Sequence, residues 1–162
     1  MAGDMFLKLD GIKGEAQDAK HKDEIDVLSW SFGGTQTGSA HVGGGAGTGK
    51  VSVQDLHITK HTDKATTALW MHLCNGKHIK DGLLTVRKAG ENPLEYLKIT
   101  MKEVYVSSLS TGGHGGGSAE ALTENLTLNF KEFKVVYTPQ NPDGSGGASS
   151  EAAWDIARNV KV

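Results

Sequence analysis

Val51-Ser-Val-Gln-Asp-Leu-His-Ile-Thr-Lys60, followed by His61-Thr-Asp63-Lys and Ala65 through Cys74 and closed by Asn75-Gly76-Lys77-His78, is the stretch that decides the fold. Its first ten residues alternate as a strand does. Val51 and Val53 share one phase, and Leu56 and Ile58 take the other, which predicts a β-bulge near Gln54 or Asp55. The next residues carry apolar groups at 65, 68, 69 and 73, the spacing of one helix face, with Trp70 and Met71 broadening it. Asp63 or Thr66 is the expected N-cap, and Asn75-Gly76 is a normal helix stop. This gives one helix, over about residues 63–75, set among strands.

The rest of the chain reads as strands and turns. Met5–Leu9 predicts a first strand, and the polar residues 15–24 predict a solvated loop. Ile25–Phe32 predicts a second strand, with Trp30 and Phe32 facing the core and Ser29 and Ser31 facing the other way. Leu83–Arg87 and Glu95–Ser107 predict a hairpin, the longer arm bent at Lys102-Glu103. Ser110–Ala121 and Pro139–Ser150 read as flexible loops around a long strand, Leu122–Tyr137. There Leu126, Leu128 and Phe130 share a phase that shifts before Phe133. A terminal strand carries Trp154 and Ile156. About eight strands and one helix predict a mainly β fold. The expected form is a compact antiparallel barrel or sandwich, with the helix against it or over one end.

Composition narrows the function. The 162 residues suit one domain, residues 1–162, with room for a core. A formal charge of −2, with no long run of like charge, leaves no basic field for nucleic acid or a membrane surface. The single cysteine, Cys74, has no internal partner and reads as a buried thiol. No apolar run reaches the roughly 18 residues of a membrane span. The N-terminus lacks the charged and apolar regions of a cleaved signal.

Residues 33–50 hold glycine at 33, 34, 38, 43, 44, 45, 47 and 49. Without apolar periodicity the segment has no core of its own, and it reads as an arm that orders against something else. Its Gly44-Gly-Ala-Gly-Thr-Gly49-Lys50 has phosphate-loop spacing. The Ser or Thr that would bind magnesium is replaced by Val51, and a strand rather than a helix follows, so nucleotide binding is rejected. The seven histidines form no metal-binding motif; His57 and His61 straddle a strand end and need not share a face. No serine or cysteine stands in a nucleophile motif, Asp23-Glu24 reads as solvation, and the Asn125-Leu-Thr127 sequon falls in a strand. No enzyme activity, cofactor or metal is expected.

Six segments, in their order and spacing, carry a resemblance that covers essentially the whole chain. They are Met5-Phe-Leu-Lys-Leu-Asp-Gly-Ile-Lys-Gly-Glu15 and Glu24-Ile-Asp-Val-Leu-Ser-Trp-Ser-Phe-Gly33. Next come Val53-Gln-Asp-Leu56 running through Thr59-Lys60 and Asp63-Lys-Ala into the helix, and Leu84-Thr-Val-Arg-Lys88. The last two are Glu103-Val-Tyr-Val-Ser-Ser108 and Leu122-Thr-Glu-Asn-Leu-Thr-Leu-Asn-Phe130. In these the chain resembles the Hcp family, the tube-forming subunits of bacterial type VI secretion systems. The resemblance implies a barrel like that of phage tail-tube proteins, six copies in a ring around a pore, and rings stacked into a tube. It also implies a surrounding contractile sheath, a capping spike, and small effector proteins carried in the pore. The subunit would assemble in the cytoplasm and leave the cell without a cleaved signal.

Two departures go with it. The family often has proline in the first helical turn, where this chain reads Ala65-Thr66-Thr67, which still permits a helix. Some relatives carry a C-terminal toxin domain, whereas this sequence ends at Val162 and reads as the bare tube subunit. On the tube reading Ser29 and Ser31 are the lumen-facing candidates. Gly43, Gly44, Gly45, Gly47, Gly49 and Lys50 are the candidates for contact with a neighbouring subunit. The competing reading, a monomeric β-sandwich that binds glycans, calls for clustered aromatics, and the three tryptophans are far apart.

Overall fold

Period-2 alternation along most of the chain produces eleven strands and one helix in the computed structural model, which describes residues 3–36, 50–113, 115 and 122–162. They are β1 (Gly3–Leu9), β2 (Ile25–Asp26), β3 (Ser29–Ser31), β4 (Gly34–Thr35), β5 (Ser52–Val53) and β6 (Leu56–His61). After α1 (Ala65–Asn75) come β7 (Ile79–Lys88), β8 (Glu95–Gly112), β9 (Thr123–Tyr137), β10 (Ser150–Asp155) and β11 (Val160–Lys161). Every pairing is antiparallel.

The sheet closes on itself. β1 pairs with β7, β7 with β8, β8 with β9, β9 with β6, and β6 with β3. β2 and β3 are two ends of one segment, and β2 pairs back to β1. At the junction the Val27 N–H donates to the Met5 carbonyl at 3.0 Å and the Leu28 N–H to the Thr59 carbonyl at 2.8 Å. Closure removes the exposed edges that an open sheet of this size would carry. β9 leaves the barrel beyond Phe130, where its other edge turns from β6 to β10.

The predicted second strand is therefore two strands. Ile25 and Val27 are buried, but Leu28 is 44% exposed, and Trp30 and Phe32 then turn to the core. One unbroken strand cannot bury both sets, because they lie in opposite phases. A similar break, rather than a bulge, separates β5 from β6 and reconciles Val53 with Leu56 and Ile58. In the β8–β9 hairpin both strands change phase at one level. Met101 pairs with Phe133 and Val104 with Phe130, and all four pack into or against the core. Glu103, at φ 52°, supplies the half-turn, at the bend expected from Lys102-Glu103.

Helix α1 lies against β8 and buries Ala65 and Leu69 completely. Three expectations for it are corrected. Trp70 and Met71 are on the outer face, 38% and 60% exposed, and Cys74 is exposed as well. The helix meets a single layer of barrel, so a narrow stripe suffices to dock it. The cap position falls at Lys64, which makes no side-chain capping bond; Asp63 Oδ1 instead accepts the Ala65 N–H at 3.0 Å, and Thr66 is already helical. Gly76 ends the helix in the left-handed region, φ 67°, its N–H donating to the His72 carbonyl at 3.0 Å. Nothing lies within 4 Å of a Cβ placed there, so Gly76→Ala tests backbone preference alone. It is expected to cost about 1 kcal/mol in urea unfolding.

Three segments read as loose are built. Residues 10–24 form a strap. In it the Gly14 N–H donates to the Asp23 carbonyl, the Ala16 N–H to the Glu24 carbonyl and the Asp23 N–H back to the Ala16 carbonyl, at 2.8–2.9 Å. Ser110–Gly112 extend β8; of the expected loop there, 114 and 116–121 lie outside the described residues. Residues 139–147 fold back on themselves, with the Asn141 N–H to the Ser145 carbonyl and the Gly147 N–H to the Pro139 carbonyl, each at 2.7 Å.

Candidate functional site

The register of four adjacent strands places the two serines on a broad surface. Ser29 pairs with Thr59, Thr59 with Asn125, and Asn125 with Ser110. One level along, Ser31 pairs with His57, His57 with Thr127, and Thr127 with Ser108. A further row adds His61, Thr123 and Gly112. The opposite faces of these strands carry Ile58, Leu126 and Leu128 into the core. Both serines are exposed, as alternation predicts.

This face carries hydroxyls, one amide and two imidazoles, but no carboxylate, ammonium or guanidinium. Charged residues make up 22% of the chain, so an eleven-position face without one departs from the rest of the surface. Four strands at the usual spacing make it about 14 Å wide. Its side chains bond to each other: the Thr59 hydroxyl donates to Asn125 Oδ1 at 3.0 Å, and the Ser107 and Thr127 hydroxyls lie 2.7 Å apart. Ser108 also reaches Thr127. Asp55 marks the lower boundary, where it accepts from Ser107 and, at 2.9 Å, from Asn129 Nδ2. The predicted strand ends at Lys60; β6 runs on to His61, so His57 and His61 both belong to it and share this outer face. Among the described residues no three of His, Cys, Asp or Glu are placed to hold a metal ion.

The glycine-rich arm starts and ends beside the same face. Gly34 pairs with Val53 and Thr35 with Ser52, while the Gln54 N–H donates to the Gly33 carbonyl at 2.8 Å, so a short ribbon ties the base of the arm together. Lys50 is exposed next to this ribbon, and the segment after it enters β5, not a helix. A phosphate there would find no helix N-terminus. Gly43, Gly44, Gly45, Gly47 and Gly49 lie outside the described residues.

A fully buried ion pair lies behind the polar face, and the sequence reading did not single it out. Lys60 and Glu124 are direct cross-strand partners, each 0% exposed, with Nζ 2.6 Å from Oε1. Asp63 Oδ1 is 3.1 Å from the same ammonium. The Thr66 and Thr111 hydroxyls donate to the two Glu124 oxygens at 2.7 and 2.9 Å. Burial pushes the Glu124 carboxyl up, but the bonds from Lys60, Thr66 and Thr111 outweigh it and hold it below the usual glutamate range. The signal was present in the sequence: Lys60 is in phase with Leu56 and Ile58, and Glu124 with Leu126 and Leu128.

Fold and face together define a class, the small closed antiparallel β-barrel with one flanking helix and an uncharged outer sheet surface. Residues 6–137 match the family model described as type VI secretion system effector, Hcp. The chain is 54% identical to protein hcp1 of Pseudomonas aeruginosa over 164 aligned positions, covering all of both proteins. Among solved structures, Hcp1 from Salmonella typhimurium superposes with a TM-score of 0.83 at 40% identity, over 100% of both chains. A structure described as a type six secretion system protein gives 0.92 at 28% identity, over 99% of this chain and 100% of that one. The chain belongs to the Hcp family, the tube and effector proteins of type VI secretion. No helix among the described residues is long and apolar enough to cross a membrane.

Proposed function

We propose that this chain, as one tube domain over residues 1–162, is the structural subunit of a type VI secretion tube. Six copies close into a ring, rings stack inside a contractile sheath, and the tube leaves the cell behind its spike with small effector proteins in the lumen. Assembly takes place in the cytoplasm, and export needs no cleaved signal. The role is architectural, with no reaction and no cofactor. The observation that carries this reading is the uncharged face that runs from Ser29 and Ser31 on β3 across β6 and β9 to β8. A pore wall must contact cargo and still let it move, and short neutral side chains that already bond to one another offer contact without strong ionic traps. The arm with Gly43, Gly44, Gly45, Gly47, Gly49 and Lys50 supports the reading in a second way. Its base is pinned by β4 and β5, and a neighbouring copy within the ring or in the next ring is its natural docking surface. Ring contacts are heterologous and closing, one surface meeting a different one on the next copy.

Electron microscopy of the purified protein tests the assembly. Rings with six times the 17.2 kDa mass of one chain are expected, and a stable 17.2 kDa species at high concentration would overturn it. Ser31→Trp tests the face. Rings are expected to persist, because Ser31 is exposed and outside the core, while cargo co-purification falls about tenfold or more through lost shape fit. Undiminished cargo on intact Ser31→Trp rings would move the lumen to another face.

A further inference from the structure

His21 sits where a solvated loop was expected, and it is only 7% exposed. Its Nδ1 lies 2.8 Å from Glu24 Oε2 and its Nε2 lies 2.7 Å from Glu95 Oε1. The ring stacks on Phe6, with centroids 4.4 Å apart and planes 10° from parallel. The Arg87 guanidinium lies over the same Phe6 ring at 4.9 Å and is bonded to Asp18 and Asp4. Lys98 Nζ is 3.1 Å from the second Glu95 oxygen. Those are the charged groups around the imidazole from the strap, β1, β7 and β8.

Carboxylate oxygens only accept, and an imidazole offers two donors only when both nitrogens are protonated. The site as built therefore holds one proton beyond those of a neutral ring. Hydrogen bonds decide where that proton resides. Burial acts to raise the Glu95 carboxyl, but the bonds from His21 and Lys98 outweigh it and keep it below the ordinary range, so Glu95 stays an acceptor, and the carboxylate oxygen facing each ring nitrogen assigns the extra proton to the ring. Glu24 depends on that charge: its other oxygen, Oε1, is buried without a hydrogen-bond partner among the described residues.

We infer that His21 is a pH-sensitive latch, whose doubly protonated ring clamps residues 19–24 of the strap to the start of β8 and whose deprotonation lets that segment open. Loss of one ring proton turns a nitrogen lone pair toward a carboxylate less than 3 Å away, replacing a charge-assisted bond with repulsion. The sign follows directly. The clamp needs a proton on each ring nitrogen, so it is present at lower pH and is lost when rising pH removes one of them. The hinge lies at Asp18, which Arg87 holds at a pKa of about 2 and which keeps its ion pair throughout. The strap also touches the helix start, where Glu15 Oε2 accepts the Lys64 N–H at 2.8 Å, so the latch sits between two structural elements.

The test is nuclear magnetic resonance of the intact protein. Long-range nitrogen spectra at pH about 6 are expected to show both His21 nitrogens protonated. Amide exchange at Ala16 and Asp23, corrected for intrinsic rates, is expected to accelerate about tenfold between samples at pH about 6 and about 8.5. Glu95→Gln replaces one carboxylate with an amide that can donate to a neutral ring, and should flatten that pH dependence; His21→Gln should abolish it. A singly protonated ring at pH about 6, or wild-type strap exchange that follows only the intrinsic rate to pH about 8.5, overturns the latch. If His21→Gln does not fold, Glu95→Gln and the wild-type spectra still decide the matter.

Discussion

Lys60→Ala is expected to cost about 3–5 kcal/mol in urea unfolding, the largest single-site loss considered for this protein. The substitution leaves the Glu124 carboxylate inside the barrel with only two hydroxyls and no countercharge. A cavity replaces the longest of the fully buried side chains. The double change Lys60→Met with Glu124→Leu should recover part of the loss, because it removes both charges together. Recovery stays incomplete, since Thr66 and Thr111 lose their acceptor. A double-mutant cycle reads the coupling directly. The pair also predicts acid sensitivity. Glu124 is depressed in the folded state, so its stabilisation is present above the unfolded carboxyl range and is lost as pH falls through its folded value. Urea midpoints measured down the acid limb should fall less in the double variant than in the parent. Equal slopes would show that Glu124 is not the group responsible.

Leu69→Ala should cost about 2–5 kcal/mol, lowering the melting temperature by roughly 5–15 °C for a chain of this size. Leu69 is 0% exposed and, with Ala65, forms the buried centre of the contact between α1 and the barrel. The helix is 11 residues long, below the length at which a helix holds itself together in water, so it relies on that contact. Met71→Ala, two residues along, is the control: at 60% exposure it should stay within about 0.5 kcal/mol. Similar losses at both positions would mean that the outer face of α1 is covered in solution, a result that would itself locate an interface.

Much of the fold was legible in alternation and turn chemistry. Leu126, Leu128 and Phe130 announced the inward face of β9, Asn75-Gly76 ended α1, and the phase change at Lys102-Glu103 marked the bend in β8. Ser29 and Ser31 read correctly as exposed because Trp30 and Phe32 beside them were apolar. Three things were not legible. The break between β2 and β3 depends on barrel closure, a long-range event that overrides local alternation. The burial of His21 depends on Phe6, Glu24 and Glu95, the last 74 residues away in sequence, so a polar run looked like a solvated loop. The exposure of Trp70 and Cys74 follows from a single barrel layer beneath the helix, which no periodicity within the helix can reveal.

The sequence by itself determined the class of the fold, the place of helix α1 and the family. These depend on residue types at short spacings, which act through local backbone preference and through the pattern of faces. Only the tertiary structure decided which surfaces those faces become. Cross-strand register joins Ser29 and Ser31 to Thr59, His57, Asn125 and Thr127, making the two serines part of one polar sheet surface. The same register sets Lys60 against Glu124 inside the barrel. Register is a relation between strands distant in the chain, set by the packing of the whole core, and so it is not contained in any one stretch, Val51–His78 included.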